Sequence, residues 1–289
     1  MSWNFIYDSP KEITKLLDKE GLAMSKKFGQ NFLISSHIRE KLFSLVKVES
    51  SDKVWEIGPG LGALTILLIN SGALVKAFEI DYGFCRILEE QAFKDDKNFS
   101  LVKGDALKTL FEQEEIPNVI CGNLPYNVGS ICIAKLIENS LLPERMVFTI
   151  QKEVAERICG NPGDKSWSSL SILCQTEYEC SIGLTIIGSS FYPEPNVDSS
   201  VIIMERRKNK IVDEDIRPIF LILIRDLFAQ RRKTIKNNLQ HGKIGKLLTL
   251  EKINSCLEES QIPLKERGEN LTVKQIVKLA ETLKRIQNN

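Results

Sequence analysis

The sequence predicts a Rossmann-like α/β sheet, mostly parallel with an antiparallel hairpin at one edge, followed by a small all-helical domain. Three observations predict it. Short apolar or β-branched runs alternate with helical patterns up to about residue 151. A glycine cluster follows the first of these runs directly. Beyond about residue 212 only helical patterns remain.

The elements follow in chain order. Residues 53–57 (Lys-Val-Trp-Glu-Ile) read as a short buried strand that ends in glycines, and 63–71 as a helix. A second strand covers roughly 73–80, with a helical stretch through 92. Further strands lie near 99–103, 118–122 and 145–151, with helical patterns in most of the gaps. Right-handed crossovers place the C-terminal ends of parallel strands on one edge, and ligands bind there. Residues 176–187 and 199–205 are apolar and β-branched, without a crossover helix between them. They read as an antiparallel hairpin at the sheet edge, and Pro193 and Pro195 fit its rigid turn. Helices are expected at 213–229, 231–240, 243–248, 251–258 and 273–287. The division is then 1–24 as an N-terminal extension, 25–208 as the α/β domain and 209–289 as a helical, basic domain.

Composition narrows the function classes. A chain of 289 residues with 43% hydrophobic content can bury one sizeable core and a smaller second one. No run of eighteen apolar residues occurs, and the N-terminus has no basic stretch leading into an apolar run; neither a membrane span nor a leader is expected. Seven cysteines, at 85, 121, 132, 159, 174, 180 and 256, include no C-x-x-C pair, and the only histidines are His37 and His241. No metal site is expected, and reduced thiols in a cytoplasmic protein are the simpler reading. The net charge of +1 conceals an asymmetry. From Arg206 onward there are 19 basic and 10 acidic residues, against 20 and 28 before it. A basic C-terminal third suggests a polyanion contact; a solvated helical face is the plain alternative.

The segment Glu56-Ile57-Gly58-Pro59-Gly60-Leu61-Gly62-Ala63 lets the backbone turn sharply and approach a ligand. Gly58, Gly60 and Ala63 also satisfy the dinucleotide fingerprint. Glu79, at the end of the second strand, could accept hydrogen bonds from a ribose, so this region alone does not separate NAD from S-adenosylmethionine. Asp105, after the third strand, could accept from an adenine amine, or merely cap the following helix.

Asn123-Leu124-Pro125-Tyr126-Asn127 follows the fourth strand. An adenine exocyclic amine is a poor nucleophile because its lone pair is delocalised into the ring. Two acceptors, the Asn123 side-chain oxygen and the Leu124 carbonyl, would hold both amine protons and localise that pair. Pro125 stiffens the turn. Tyr126 offers a ring face for an unstacked base, worth roughly 1–3 kcal/mol. Phe191 is the candidate for a second face, and Asp198 for an anchor of its loop. A sulfonium methyl donor is already activated, so no strong base is required and positioning dominates. A plain strand-to-helix turn is the alternative.

These motifs together resemble the ribosomal RNA small-subunit adenine N6,N6-dimethyltransferases of the bacterial KsgA type. Lys26-Lys27-Phe28-Gly29-Gln30-Asn31-Phe32-Leu33 resembles the N-terminal segment of that family, which closes over the cofactor. The run from Phe191 to Ser199 resembles its F-x-P-x-P-x-V-D-S loop, and the run from Phe228 to Leu239 its basic helical signature. Arg267 with Glu269-Asn270-Leu271, and Gln151 to Ala155, also fit. The resemblance spans residues 25 to about 280. It implies a class I methyltransferase sheet that binds S-adenosylmethionine through Asn31, Leu33, Gly58, Gly60, Glu79, Asp105 and Asn123. The implied substrate is a pair of adjacent adenosines in a loop near the 3′ end of small-subunit (16S) rRNA, each dimethylated during 30S biogenesis. A 30S assembly intermediate is then the partner, and no oligomer is required.

Arg206, Arg207, Arg231, Arg232 and Lys233 become candidate phosphate contacts; alternatively Arg231 and Arg232 pair with acidic neighbours between the domains. Competing readings are a large-subunit enzyme of the macrolide-resistance type, a 30S assembly factor for which methylation is secondary, and an NAD-dependent oxidoreductase. The last leaves Asn123 to Tyr126 without a purpose.

Overall fold

The computed structural model describes residues 3–24 and 30–287. The first unit comprises residues 1–155 and 180–206. It opens with α1 (Pro10–Lys19), β1 (Phe32–Leu33) and α2 (Ser36–Val46), then runs through β2 (Lys53–Ile57), α3 (Thr65–Asn70), β3 (Leu74–Glu79), α4 (Tyr82–Ile87), β4 (Phe99–Lys103), α5 (Ala106–Thr109), β5 (Val119–Asn123), α6 (Gly129–Glu138) and β6 (Arg145–Gln151). The chain then forms α7 (Lys152–Ile158) and α8 (Ser169–Glu177), the latter wholly in the second unit, before β7 (Tyr178–Ile186), β8 (Phe191–Tyr192) and β9 (Ser199–Arg206) return it to the first.

The main sheet has the order β4-β3-β2-β5-β6-β9-β7. The chain builds outward from β2 to β4 and then returns to the other side of β2, so the order reverses between β2 and β5. In such sheets that reversal opens a crevice at the C-terminal strand ends. The first five strands pair in parallel, β9 runs antiparallel to β6, and β7 lies outside β9. The central strands are buried on both faces, as the run Val54, Trp55, Glu56, Ile57 shows, because helices cover both sides. Gly122 has a packing reason: a Cβ there would meet the Ile57 carbonyl oxygen at 2.3 Å. The five parallel strands and the antiparallel edge match the sequence reading to within a residue or two.

Two helices near the N-terminus went unread in the sequence. α1 has the polar sequence PKEITKLLDK, yet Ile13, Leu16 and Leu17 fall at i, i+3 and i+4 and are buried. Ser9 caps it by accepting from Glu12 N at 3.3 Å, and Pro10 occupies its first position. The three apolar residues form a core cluster with Leu61, Phe84 and Ile87. Residues 3–24 are therefore an integral part of this unit.

The second unit takes in residues 156–179 as well as 207–289. The single boundary expected between 208 and 209 thus gives way to an interrupted one. The reason is local bonding: Trp167 is buried and donates to the Leu271 carbonyl at 3.0 Å, and a capping box at Ser168 and Ser171 starts α8. The other helices are α9 (Arg217–Leu227), α10 (Ile235–His241), α11 (Ile244–Leu247), α12 (Leu250–Glu259) and α13 (Val273–Gln287). α9 starts later than expected, with Pro218 in its first turn, and α10 starts where Thr234 caps it by accepting from Asn237 N. Among the described residues no helix is long and apolar enough to cross a membrane.

Candidate active site

A cavity of about 200 Å³ lies at the C-terminal ends of β2, β3 and β5. After β2 the chain turns through Gly58 and Gly60, whose φ values of 69° and 58° suit glycine. The Gly60 N–H donates to Glu79 Oε2 at 3.1 Å, and the Asp81 N–H donates to Oε1 at 2.9 Å. Glu79 thus ties the glycine loop to the end of β3. It is 5% exposed, and burial pushes its carboxyl up to about 7 despite the two backbone donors.

Asp105 caps a helix and also lines the cavity. Oδ1 caps α5 by accepting from Leu107 N at 2.9 Å. Oδ2 has no hydrogen-bond partner among the described residues, and the side chain lines the cavity. An adenosine presents hydroxyl donors on its ribose and amine donors on its base. Glu79 and Asp105 place two carboxyl groups, the chemistry such donors would need, on one cavity.

Asn123 ends β5. Its Nδ2 donates to the Asn31 carbonyl at 2.9 Å. Only the amide nitrogen can donate to a carbonyl, so this bond settles which way the amide faces. Oδ1 is left without a partner among the described residues. Leu124 donates its N–H to the Thr149 carbonyl at 3.0 Å, and its own carbonyl receives no hydrogen bond among them. Two acceptors therefore stand side by side at the end of β5. Asn31, Leu33, Gly58, Gly60, Glu79, Asp105 and Asn123 all line this cavity, with Leu124 and Pro125. Lys26, Lys27, Phe28 and Gly29 of the N-terminal motif lie outside the described residues.

The aromatic pair comes out differently. Tyr126 is half-buried, its hydroxyl 2.6 Å from Ser199 Oγ at the start of β9. Burial raises the hydroxyl above its ordinary range, so it stays protonated. Phe191 is 3% exposed, sits opposite Leu33 in the β1–β8 ladder and belongs to the main core cluster. The face expected of it is taken up by packing. Of the two rings, only Tyr126 is partly open.

Among the cavity residues that sequence reasoning missed are Glu56, Tyr7 and Arg39. Glu56, 2% exposed, accepts from Thr65 Oγ1 at 2.6 Å, and burial pushes it up to about 7. A carboxylate inside an otherwise apolar strand was the available signal. Tyr7 and Arg39 also line the cavity, with no sequence signal beyond their residue types.

The five basic candidates divide. Arg206 donates from Nη1 to the Leu142 carbonyl at 3.2 Å. In the helical unit, Arg207 bonds the Gln175 carbonyl and pairs with Glu179. Arg231 uses all three guanidinium nitrogens, on Glu269 Oε2 and on the carbonyls of Lys165 and Asp164. Its acidic partner lies in its own unit. The side chains of Arg232 and Lys233 are exposed and have no partner among the described residues. Among the described residues no group of three or more His, Cys, Asp or Glu side chains is placed to hold a metal ion, and all seven cysteines are free thiols.

A family profile described as "Ribosomal RNA adenine dimethylase" matches residues 21–284. The chain is 41% identical over 286 residues to "Ribosomal RNA small subunit methyltransferase A" of Treponema denticola, covering 96% of this chain and 95% of that one. Among solved structures, a dimethyladenosine transferase from Plasmodium falciparum superposes with a TM-score of 0.71 at 27% identity, over 85% of this chain and 94% of that one. The 23S rRNA methyltransferase ErmE has the same fold, with a TM-score of 0.64 at 20% identity over 87% of this chain and 98% of its own. The acceptors on the cavity suit an adenosine-bearing cofactor, and proteins of this kind use S-adenosylmethionine. With a match running from before the glycine loop to the last helix, the chain belongs to the ribosomal RNA adenine dimethylase family, and it is an S-adenosylmethionine-dependent methyltransferase.

Proposed function

We propose that this chain dimethylates the N6 amines of two adjacent adenosines in a loop near the 3′ end of small-subunit rRNA, acting on a 30S assembly intermediate. The observation that carries this reading is the pair of unoccupied acceptors at the end of β5. The Asn123 amide is oriented by its bond to the Asn31 carbonyl, and Oδ1 and the Leu124 carbonyl remain to accept. An exocyclic amine has two protons, and two acceptors that take both localise the nitrogen lone pair for attack.

S-adenosylmethionine, when bound, supplies a methyl group on a positively charged sulfur. Glu79 and Asp105 hold its adenosine, and the glycine loop lets the backbone approach it. Tyr126 takes the face of a base that has left its stack. The amine nitrogen would bond to the methyl carbon as the carbon–sulfur bond breaks, leaving neutral S-adenosylhomocysteine, and the proton it then loses would pass to solvent. No side chain must act as a strong base, which fits a site without histidine. Positioning is the main contribution of the protein. Arg232 and Lys233 are the proposed phosphate contacts of the helical unit.

The test uses purified protein, labelled S-adenosylmethionine and unmethylated 30S and 50S subunits, with the digested rRNA analysed by mass. Dimethyladenosine in 30S rRNA alone, at two neighbouring positions, is expected. Label in 50S rRNA would move the protein to the large-subunit reading. Cofactor binding without label in either would favour an assembly factor.

A further inference from the structure

We infer that the N-terminal segment forms one wall of the cofactor cavity, with Tyr7 a further cofactor-binding residue and Arg39 the positioning residue that latches it there. The inference rests on the assignment of this cavity to S-adenosylmethionine. Residues 3–20 lie outside the stretch matched by the family profile, which begins at residue 21. Nothing in the shared motifs therefore assigns them a role.

The physical case begins with the helix. Its apolar residues pack on Leu61 of the glycine loop and on Phe84 and Ile87 of α4, the helix that follows Glu79. The helix thus rests on both segments that grip the cofactor. Ahead of it, Trp3, Phe5 and Tyr7 form a chain of rings, the first pair stacked at 5.4 Å and the second edge-on at 5.2 Å. Trp3 donates its indole N–H to the Tyr7 hydroxyl at 2.9 Å, and that hydroxyl donates to the Leu61 carbonyl at 3.2 Å. Burial holds the hydroxyl well above its ordinary range, so it remains a donor. A backbone carbonyl of the glycine loop is therefore held by a side chain 54 positions earlier.

Arg39 fastens this arrangement. Its guanidinium lies 5.6 Å from the centre of the Tyr7 ring and pairs with Asp8. Through Nη1 it also donates to the Leu33 carbonyl at 2.9 Å. One side chain, 11% exposed, thus joins residues 7 and 8 to the segment carrying Asn31 and Leu33. Tyr7, Ile13 and Arg39 line the same cavity as Asn31, Gly58 and Glu79. A surface extension would have no reason to place Tyr7 and Ile13 there.

The test is equilibrium binding of S-adenosylmethionine and S-adenosylhomocysteine to the full-length protein by calorimetry, without RNA. Hydrogen exchange of residues 10–19 is followed in parallel. Tyr7→Phe and Arg39→Met are each expected to weaken both ligands roughly tenfold, about the scale of one lost hydrogen bond, while RNA binding is unchanged. Arg39→Lys should recover part of the loss. Cofactor should slow exchange in α1 of the wild type and fail to do so in Arg39→Met. Unchanged cofactor affinity in both variants overturns the latch while leaving the cavity assignment intact. No binding to the wild type overturns the cavity assignment, and the latch falls with it.

Discussion

The two ends of the active site are built in different ways. At the cofactor end, Glu79 is buried, bonded to two backbone N–H groups and held by a parallel sheet. At the base end, Tyr126 is half-buried and tethered to the chain through one hydroxyl contact with Ser199, while Phe191 is committed to the core. Among the described residues, the proposed cofactor end has Asn31, Gly58, Glu79 and Asp105 together on one cavity. On the proposed reading the base end consists of the half-buried Tyr126 ring, which does not line the cavity, and the two acceptors at the end of β5, which do.

Asn123 stands where the two ends meet, so its removal gives the largest expected effect. Asn123→Ala should lower kcat on the order of 100-fold, the scale of losing one preorganised hydrogen-bonding group at a reacting atom. Its bond to the Asn31 carbonyl is also lost, but one neutral hydrogen bond is worth only about 0.5–1.5 kcal/mol. Cofactor affinity should therefore fall no more than about tenfold. Calorimetry beside single-turnover kinetics checks this, and equal losses in both would remove Asn123 from the chemistry.

The two rings sharpen the contrast. Phe191→Ala should cost about 3–5 kcal/mol of stability, as for other large buried aromatics, seen as a lower melting temperature. Tyr126→Ala should leave stability nearly unchanged and raise KM for RNA by the loss of roughly 1–3 kcal/mol of stacking. If Phe191→Ala raises KM without destabilising the fold, its ring reaches the base after all.

The buried carboxylates make the cofactor end sensitive to pH. Glu79 sits at about 7 when folded, above its ordinary 4.5, because burial disfavours its charge. The folded, ligand-free protein therefore holds a proton that the unfolded chain has lost. The associated stability is present below about 4.5 and is lost as pH rises through about 7. Cofactor hydroxyls need the ionised acceptor, so affinity should move the other way, tightening about tenfold from pH 6 to pH 8. Glu56 titrates over the same interval. A slope that survives Glu79→Gln would belong to Glu56.

What the sequence disclosed follows the same division. Gly58, Glu79, Asp105 and Asn123 sit at strand ends, and alternation of strand and helix is enough to bring strand ends to one edge. The surroundings of Phe191 depend on how β8 pairs with β1, a contact between segments 158 residues apart that no local pattern encodes. Tyr7 and Arg39 were illegible for the same reason. α1 was overlooked because its polar residues outnumber the three that are buried. The segment 156–179 reads as a continuation of the sheet domain until Trp167 is seen bonded to Leu271.

Within the helical unit, the smallest predicted effect separates Arg231 from its two neighbours. All three are sequence candidates for phosphate contact, with pairing to acidic neighbours as the alternative for Arg231 and Arg232. Arg231 has its guanidinium occupied by Glu269 and two carbonyls, whereas Arg232 and Lys233 project without partners among the described residues. Each phosphate contact releases counterions, so losing one should reduce the slope of log K against log salt by roughly 0.7–0.9. Arg232→Ala and Lys233→Ala should each do so on subunit or rRNA-fragment binding. Arg231→Ala should instead lower the melting temperature and leave the slope nearly unchanged. A reduced slope for Arg231→Ala would mean that its pairing with Glu269 opens on RNA, and that the helical unit rearranges on binding.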